Sequence, residues 1–99
     1  MNKEEAERYL QFLPGWSLIN NSIEKEFKFK RYAEGLDYAI QVGRIAEEQN
    51  HHPDILIKYK KVNIILTTHA IGGLSENDFI MAAKYEELYS KMIGGSGQI

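Results

Sequence analysis

The feature that most restricts how this chain can fold is a run of strict alternation in its second half. Across residues 62–69, Val62, Ile64, Leu66 and Thr68 fall on one side and Asn63, Ile65, Thr67 and His69 on the other. A period of two suits a strand with one buried face, and no helix can satisfy it. Just before it, residues 54–59 place Ile55, Ile57 and Tyr59 on one face, and Lys60-Lys61 separates the two runs. Two such runs joined so tightly predict an antiparallel hairpin. A second hairpin is predicted upstream, from a strand at residues 16–19, a turn at Asn20-Asn21 and a strand at residues 23–31. There Ile23, Phe27 and Phe29 alternate with Glu24, Glu26, Lys28 and Lys30. Asparagine tolerates the positive φ that a type I′ turn requires. Lys25 interrupts the apolar face, as an edge or frayed position would.

Three helices frame these hairpins. Asn2-Lys3-Glu4-Glu5 has the form of a capping box, Ala6, Tyr9, Leu10 and Leu13 share one helical face, and Pro14-Gly15 ends the helix. Residues 33–49 carry a stripe of Leu36, Ala39, Ile40, Gly43 and Ala46, widened by Tyr38, Val42 and Ile45. Gly43 costs about 1 kcal/mol against alanine in a helix, so it is expected to mark a close approach. This helix should stop near Asn50, because His52 precedes Pro53 and is biased towards extended backbone. Ser75-x-x-Asp78 opens the last helix as a second capping box. Met81, Tyr85, Leu88 and Met92 form one face of it, with Phe79, Ala82 and Ala83 on another. Two apolar faces predict burial on two sides, one of them against a second subunit. Residues 94–99, beginning Gly94-Gly95-Ser96-Gly97, are expected to be a flexible tail. The order α-β-β-α-β-β-α predicts a single α+β domain over residues 1–99: a four-stranded antiparallel sheet with three helices packed on one face.

Composition narrows the function classes. Ninety-nine residues make one domain with a marginal core, burying roughly 60–68% of the unfolded surface, and oligomerisation would bury more. Twelve Lys and Arg stand against fourteen acids, scattered along the chain, for a net charge of −2. That leaves no electrostatic footprint for nucleic acid. There is no cysteine, hence no disulfide framework and no thiolate. No apolar run approaches the roughly 20 residues of a membrane span, and the N-terminus is polar. The expectation is a soluble cytoplasmic protein with no membrane partner.

The chemistry is concentrated in one stretch. All three histidines, His51, His52 and His69, fall close together with Glu47, Pro53, Tyr59 and Asp78 around them. Histidine can both give and take a proton near neutral pH. The start of one strand of a tight hairpin and the finish of its partner lie at the same end, so His51, His52 and His69 are expected to converge. Surface histidines at loops are the plainer alternative. A metal site is disfavoured, since His-x-x-x-His spacing is absent and adjacent histidines rarely chelate one ion. Glu47, one helical turn before His51, is placed to orient it. Asp78 is expected at the third position of the last helix, where an acid favours the helix dipole, near the loop carrying His69. Tyr59 is expected to pack first and to serve function second.

Glu47-x3-His51-His52-Pro53-x5-Tyr59-x9-His69-x8-Asp78, with Val62-x-Ile64-x-Leu66-x-Thr68-His69, Gly73-Leu74-Ser75-x-x-Asp78 and Leu13-Pro14-Gly15-Trp16, resembles the signature of the pterin-4a-carbinolamine dehydratases. The resemblance spans nearly the whole chain. It implies dehydration of 4a-hydroxytetrahydropterin to quinonoid dihydropterin in tetrahydropterin recycling, with a pterin as the small-molecule substrate and neither metal nor organic cofactor. It implies His51, His52 and His69 as the essential histidines, with Glu47, Pro53, Tyr59 and Asp78 as supporting or substrate-binding positions, in a homodimer or homotetramer. Some relatives also stabilise dimers of transcription factors, so a non-catalytic dimerisation cofactor is the competing reading.

Overall fold

The register between the two hairpins decides which residues become core. In the computed structural model, which describes residues 1–95, α1 spans Lys3–Leu10, β1 Ser17–Ile19, β2 Ser22–Lys28, α2 Tyr32–Gln49, β3 Asp54–Lys58, β4 Lys61–Leu66 and α3 Glu76–Gly95. A single 3-10 turn, His69–Ile71, lies between β4 and α3. All strands pair antiparallel in the order β1-β2-β4-β3. The hairpins join through β2 and β4, where Ile23 faces Leu66, Lys25 faces Ile64 and Phe27 faces Val62. Ile23, Phe27, Val62, Ile64 and Leu66 are fully buried beneath the helices, and the other face carries Glu24, Glu26, Asn63 and Ile65. This is the expected α+β layer. Among the described residues no helix is long and apolar enough to cross a membrane.

Local chemistry explains where the elements begin and end. The Asn2 side chain accepts from the Glu5 N–H at 2.9 Å, while the Glu5 carboxylate accepts from the Asn2 N–H at 3.2 Å, completing the capping box of α1. At the far end of α2, Asn50 takes the left-handed conformation, φ 51° and ψ 43°. Its N–H and that of His51 turn back to the last carbonyls of the helix, His51 donating to Ala46 O at 3.1 Å. Such a closure is how asparagine ends a helix without leaving those carbonyls unpaired.

The structure changes several of the sequence expectations. Asn20 has positive φ, 53°, but Asn21 does not, so the first hairpin does not use a type I′ turn. The second turn is Tyr59-Lys60 and not Lys60-Lys61, because Lys61 is paired with Lys58. Lys60 there sits at φ 62°, with its carbonyl accepting from the Phe29 N–H at 2.9 Å. The face of α2 turned to the sheet is Gly35, Tyr38, Ala39, Val42 and Ala46, while Ile40 is 55% exposed. The close approach is at Gly35, where a Cβ would lie 3.3 Å from Val62 Cγ2; around Gly43 there is open space. Lys25 is neither frayed nor at an edge: its ammonium pairs with Glu86 of α3 and donates to Pro14 O. The Trp16 indole N–H also reaches Glu86, at 3.0 Å. The two faces of α3 are largely used inside one chain. Phe79 stacks on Tyr9 of α1 at 4.8 Å, and Met81, Ala82 and Tyr85 enter the core, while Ala83 stays exposed. Of the expected tail, Gly94 and Gly95 belong to α3, and residues 96–99 lie outside the described residues. Nor are all the cations scattered. Lys28, Lys61 and Lys58 stand in register across β2, β4 and β3, with Lys30, Arg31 and Lys60 at the same end.

Two tyrosines occupy the centre. Tyr38 donates its hydroxyl to Tyr85 O at 3.1 Å, whereas the Tyr85 hydroxyl is buried without a partner. Desolvation raises both phenols above the ordinary tyrosine value of 10.0. A phenol raised on folding contributes stability that is complete below pH about 10 and is lost as pH climbs past it, at about 1.4 kcal/mol per pH unit for each group. Tyr85→Phe removes an unsatisfied buried hydroxyl while keeping the ring. Chemical denaturation at neutral pH is therefore expected to show equal or greater stability, by up to about 1 kcal/mol, and a shallower alkaline loss. A destabilisation beyond about 1 kcal/mol would mean that the hydroxyl has a partner.

Candidate active site

The left-handed turn at Asn50 separates the two adjacent histidines. His51 points towards α3, with only 13% of its side chain exposed, and its Nε2 lies 2.7 Å from Asp78 Oδ1. His52 is 54% exposed, and its Nε2 lies 2.8 Å from Glu47 Oε1 on the last turn of α2. The expected partnership of Glu47 with His51 is thus exchanged. An i,i+4 pair needs an unbroken helix, and the helical frame does not continue through Asn50.

Asp78 is the one buried charged residue among those described, with no solvent exposure. Burying a carboxylate is tolerable only when donors replace the lost water. Three converge here: His51 Nε2–H, the Ser75 backbone N–H at 2.9 Å, and the Thr68 hydroxyl at 2.8 Å, the last two on Oδ2. The Ser75 bond is half of the expected capping box. The Ser75 hydroxyl turns instead to Thr68, at 2.7 Å. Since Thr68 gives its only hydroxyl proton to Asp78, Ser75 must be the donor in that pair. The same logic fixes His51. A carboxylate only accepts, so Nε2 bears the proton, and in the neutral ring Nδ1 keeps the lone pair. His52 has the same assignment against Glu47.

His69 begins the 3-10 turn directly after Thr68 and is exposed. Its backbone is held in a small closed loop. Thr68 and Gly73 exchange bonds at 2.9 and 3.4 Å, and the Gly72 N–H donates to His69 O at 3.1 Å, with Gly72 at φ 64°. His51 and His69 are connected only indirectly: Asp78 bonds to both His51 and Thr68, and Thr68 immediately precedes His69 in the chain. No hydrogen bond joins the three imidazoles to each other among the described residues. Pro53, partly buried, leads directly into β3. Tyr59 is not brought to this end. It lies in the opposite turn, six residues beyond Pro53 with the whole of β3 between them, or roughly 20 Å at strand rise, and it stacks on Tyr32 at 6.2 Å.

Thr68 is the member that sequence reasoning missed. The sequence pattern shows it as an inward-facing residue in line with Val62, Ile64 and Leu66 and as one position of the signature, with no role of its own. A polar side chain at a core-facing position requires a partner, and that signal pointed to Asp78.

Comparison with known proteins places these residues in context. A family model described as pterin 4 alpha carbinolamine dehydratase matches residues 1–88. A protein of Nitrosospira multiformis that bears the name pterin-4-alpha-carbinolamine dehydratase is 44% identical over 89 residues, covering 90% of this chain and 79% of its own. The mitochondrial pterin-4-alpha-carbinolamine dehydratase 2 of Arabidopsis thaliana is 43% identical over 93 residues, covering 89% of this chain and 50% of its own. Among solved structures, a transcriptional coactivator/pterin dehydratase from Brucella melitensis superposes with a TM-score of 0.85 at 30% identity, over 90% of this chain and 97% of that one. A pterin dehydratase-like protein described as a RuBisCO assembly factor in the alpha-carboxysome gives a TM-score of 0.62 at 25% identity, over 75% of this chain and 86% of that one. With a family match over residues 1–88 and a relative 44% identical across most of both chains, the chain belongs to the pterin-4a-carbinolamine dehydratase family.

Proposed function

We propose that this protein is a hydro-lyase that dehydrates a 4a-hydroxytetrahydropterin to the quinonoid dihydropterin, in the recycling of a tetrahydropterin. The observation that carries the reading is the His51–Asp78 bond: an imidazole held at 2.7 Å by a buried, triply bonded carboxylate. A proton-transfer group gains from being fixed in orientation and tautomer before substrate arrives.

The reaction needs two proton movements. The hydroxyl on C4a takes up a proton and leaves as water. The neighbouring ring N–H gives up its proton, and the electron pair forms the C=N bond. His51 and His69 are assigned as the acid–base pair, in either order. With Nε2 of His51 engaged by Asp78, its Nδ1 is the atom available for exchange. His52, exposed and steadied by Glu47, would contact the pterin. Pro53 fixes the chain between His52 and β3. No step calls for a metal or an organic cofactor. A cytoplasmic homodimer or homotetramer fits the small core.

A second reading is favoured by the description of the Brucella melitensis neighbour as a transcriptional coactivator as well as a dehydratase. A dimerisation cofactor would change oligomeric state with its partner and leave the pterin alone. An assay of freshly prepared 4a-hydroxytetrahydropterin separates the two: the enzyme accelerates its decay, and the cofactor does not.

Single His51→Ala and His69→Ala variants are expected to remain folded and to lose about 10²–10⁴-fold in dehydration rate, the usual weight of one positioned acid or base. Unchanged rates in both variants would refute the assignment. Asp78→Asn should lower kcat by up to about 10²-fold while KM changes little, since it misplaces the His51 ring without touching substrate. A change confined to KM would place Asp78 in substrate binding instead.

A further inference from the structure

The end of the sheet farthest from the histidines carries a feature that dehydration does not use. Six of the twelve cations of the chain gather there: Lys28, Lys30, Arg31, Lys58, Lys60 and Lys61. Lys28, Lys61 and Lys58 lie directly opposite one another on three neighbouring strands. Adjacent strands are about 4.8 Å apart, and like charges facing across a ladder are destabilising. The acids paired with the cluster are few. Glu26 reaches Lys58 at 3.5 Å and Lys61 at 3.9 Å, and Glu34 reaches Arg31 at 3.8 Å. Lys28, Lys30 and Lys60 form no ion pair among the described residues. A lysine on an edge strand can guard against unwanted strand pairing. That accounts for Lys58 on β3, but not for Lys61 and Lys28 on the inner strands.

Aromatic rings are set among these charges. Tyr59 is 71% exposed and Tyr32 is 46% exposed, their rings stacked at 6.2 Å, with the Lys60 ammonium 5.1 Å from the Tyr59 centroid. At the same end of the sheet Lys28 and Lys30 flank a hollow of about 320 Å³, lined also by the buried Phe29, by Tyr89 and by Glu34, the acid that reaches Arg31. Exposed aromatic faces between lysines match what a single-stranded nucleic acid needs: cations along the phosphates and rings on which bases stack. A protein partner fits less well, because lysine is depleted at protein interfaces. We propose that this end of the sheet binds single-stranded nucleic acid without sequence preference, at a site separate from the histidine cluster.

The test is fluorescence anisotropy of the full chain with a labelled single-stranded DNA of about 20 nucleotides, longer than the ~4–16 that one small domain covers. Binding is expected near 50 mM salt, and its affinity should fall linearly on a logarithmic salt scale. In the combined variant Lys28→Gln, Lys58→Gln, Lys61→Gln, that slope should decrease by about 2, for three lost phosphate contacts, with the affinity reduced at least about tenfold. The dehydratase rate of this variant should be unchanged. Tyr59→Ala should weaken binding by roughly tenfold through lost stacking. Absence of binding at low salt, or full binding by the triple variant, would overturn the proposal. So would tighter binding to duplex of the same sequence. A polyglutamate peptide that competes as well as the strand, with Tyr59→Ala without effect, would also overturn it in favour of an acidic protein partner.

Discussion

A buried carboxylate organises this molecule's candidate site. Asp78 lies wholly out of solvent at the start of α3, and Thr68, Ser75 and His51 each give it a proton donor. Those donors come from three parts of the chain that the fold must first bring together: the exit of β4, the cap of α3 and the turn after α2. A charge so placed is strongly unfavourable until all its bonds are made. Correct docking of α3 against the hairpin and correct orientation of the His51 ring are therefore one event. The same bonds that allow Asp78 to be buried also leave one nitrogen of His51 committed and the other available.

Much of the architecture was legible because it rests on local periodicity. Alternation in residues 62–69 specified β4 and its buried face, although the strand stops at Leu66 and His69 falls in the 3-10 turn, and the Asn2–Glu5 pattern specified the start of α1. What was not legible depended on backbone geometry or on contacts distant in sequence. The exchange of Glu47 from His51 to His52 follows from a left-handed Asn50, which no helical spacing rule anticipates. Lys25 looked like a flaw in a strand, since its partner Glu86 is sixty-one residues away on α3. The stripe of α2 was misplaced by including Ile40, because periodicity gives a face only to within a residue or two and packing against Val62 through Gly35 selects among them. Within the candidate site, the types and spacing of the histidines and Asp78 single them out, but not the pairing of His51 with Asp78. Thr68 was overlooked because its role is to serve another side chain.

The sheet is also electrostatically divided. At one end, imidazoles meet carboxylates in pairs; at the other, lysines stand opposite lysines with two tyrosines exposed among them. A net charge of −2 conceals this, because overall balance says nothing about where a fold deposits its charges. Two antiparallel hairpins joined in register are enough to sort them to opposite ends. Chemistry at one end and contact with a polyanion at the other can then vary independently.

The proposed chemistry turns on the state of one ring, that of His51. Long-range proton–nitrogen NMR of the imidazoles in the free protein reads it directly. A His51 that carries its proton on Nε2 near neutral pH, with a resonance shifted by the bond to Asp78, and that loses this signature in Asp78→Asn, is the predicted result. A His51 protonated on Nδ1, or averaging between tautomers as a free imidazole does, would contradict it.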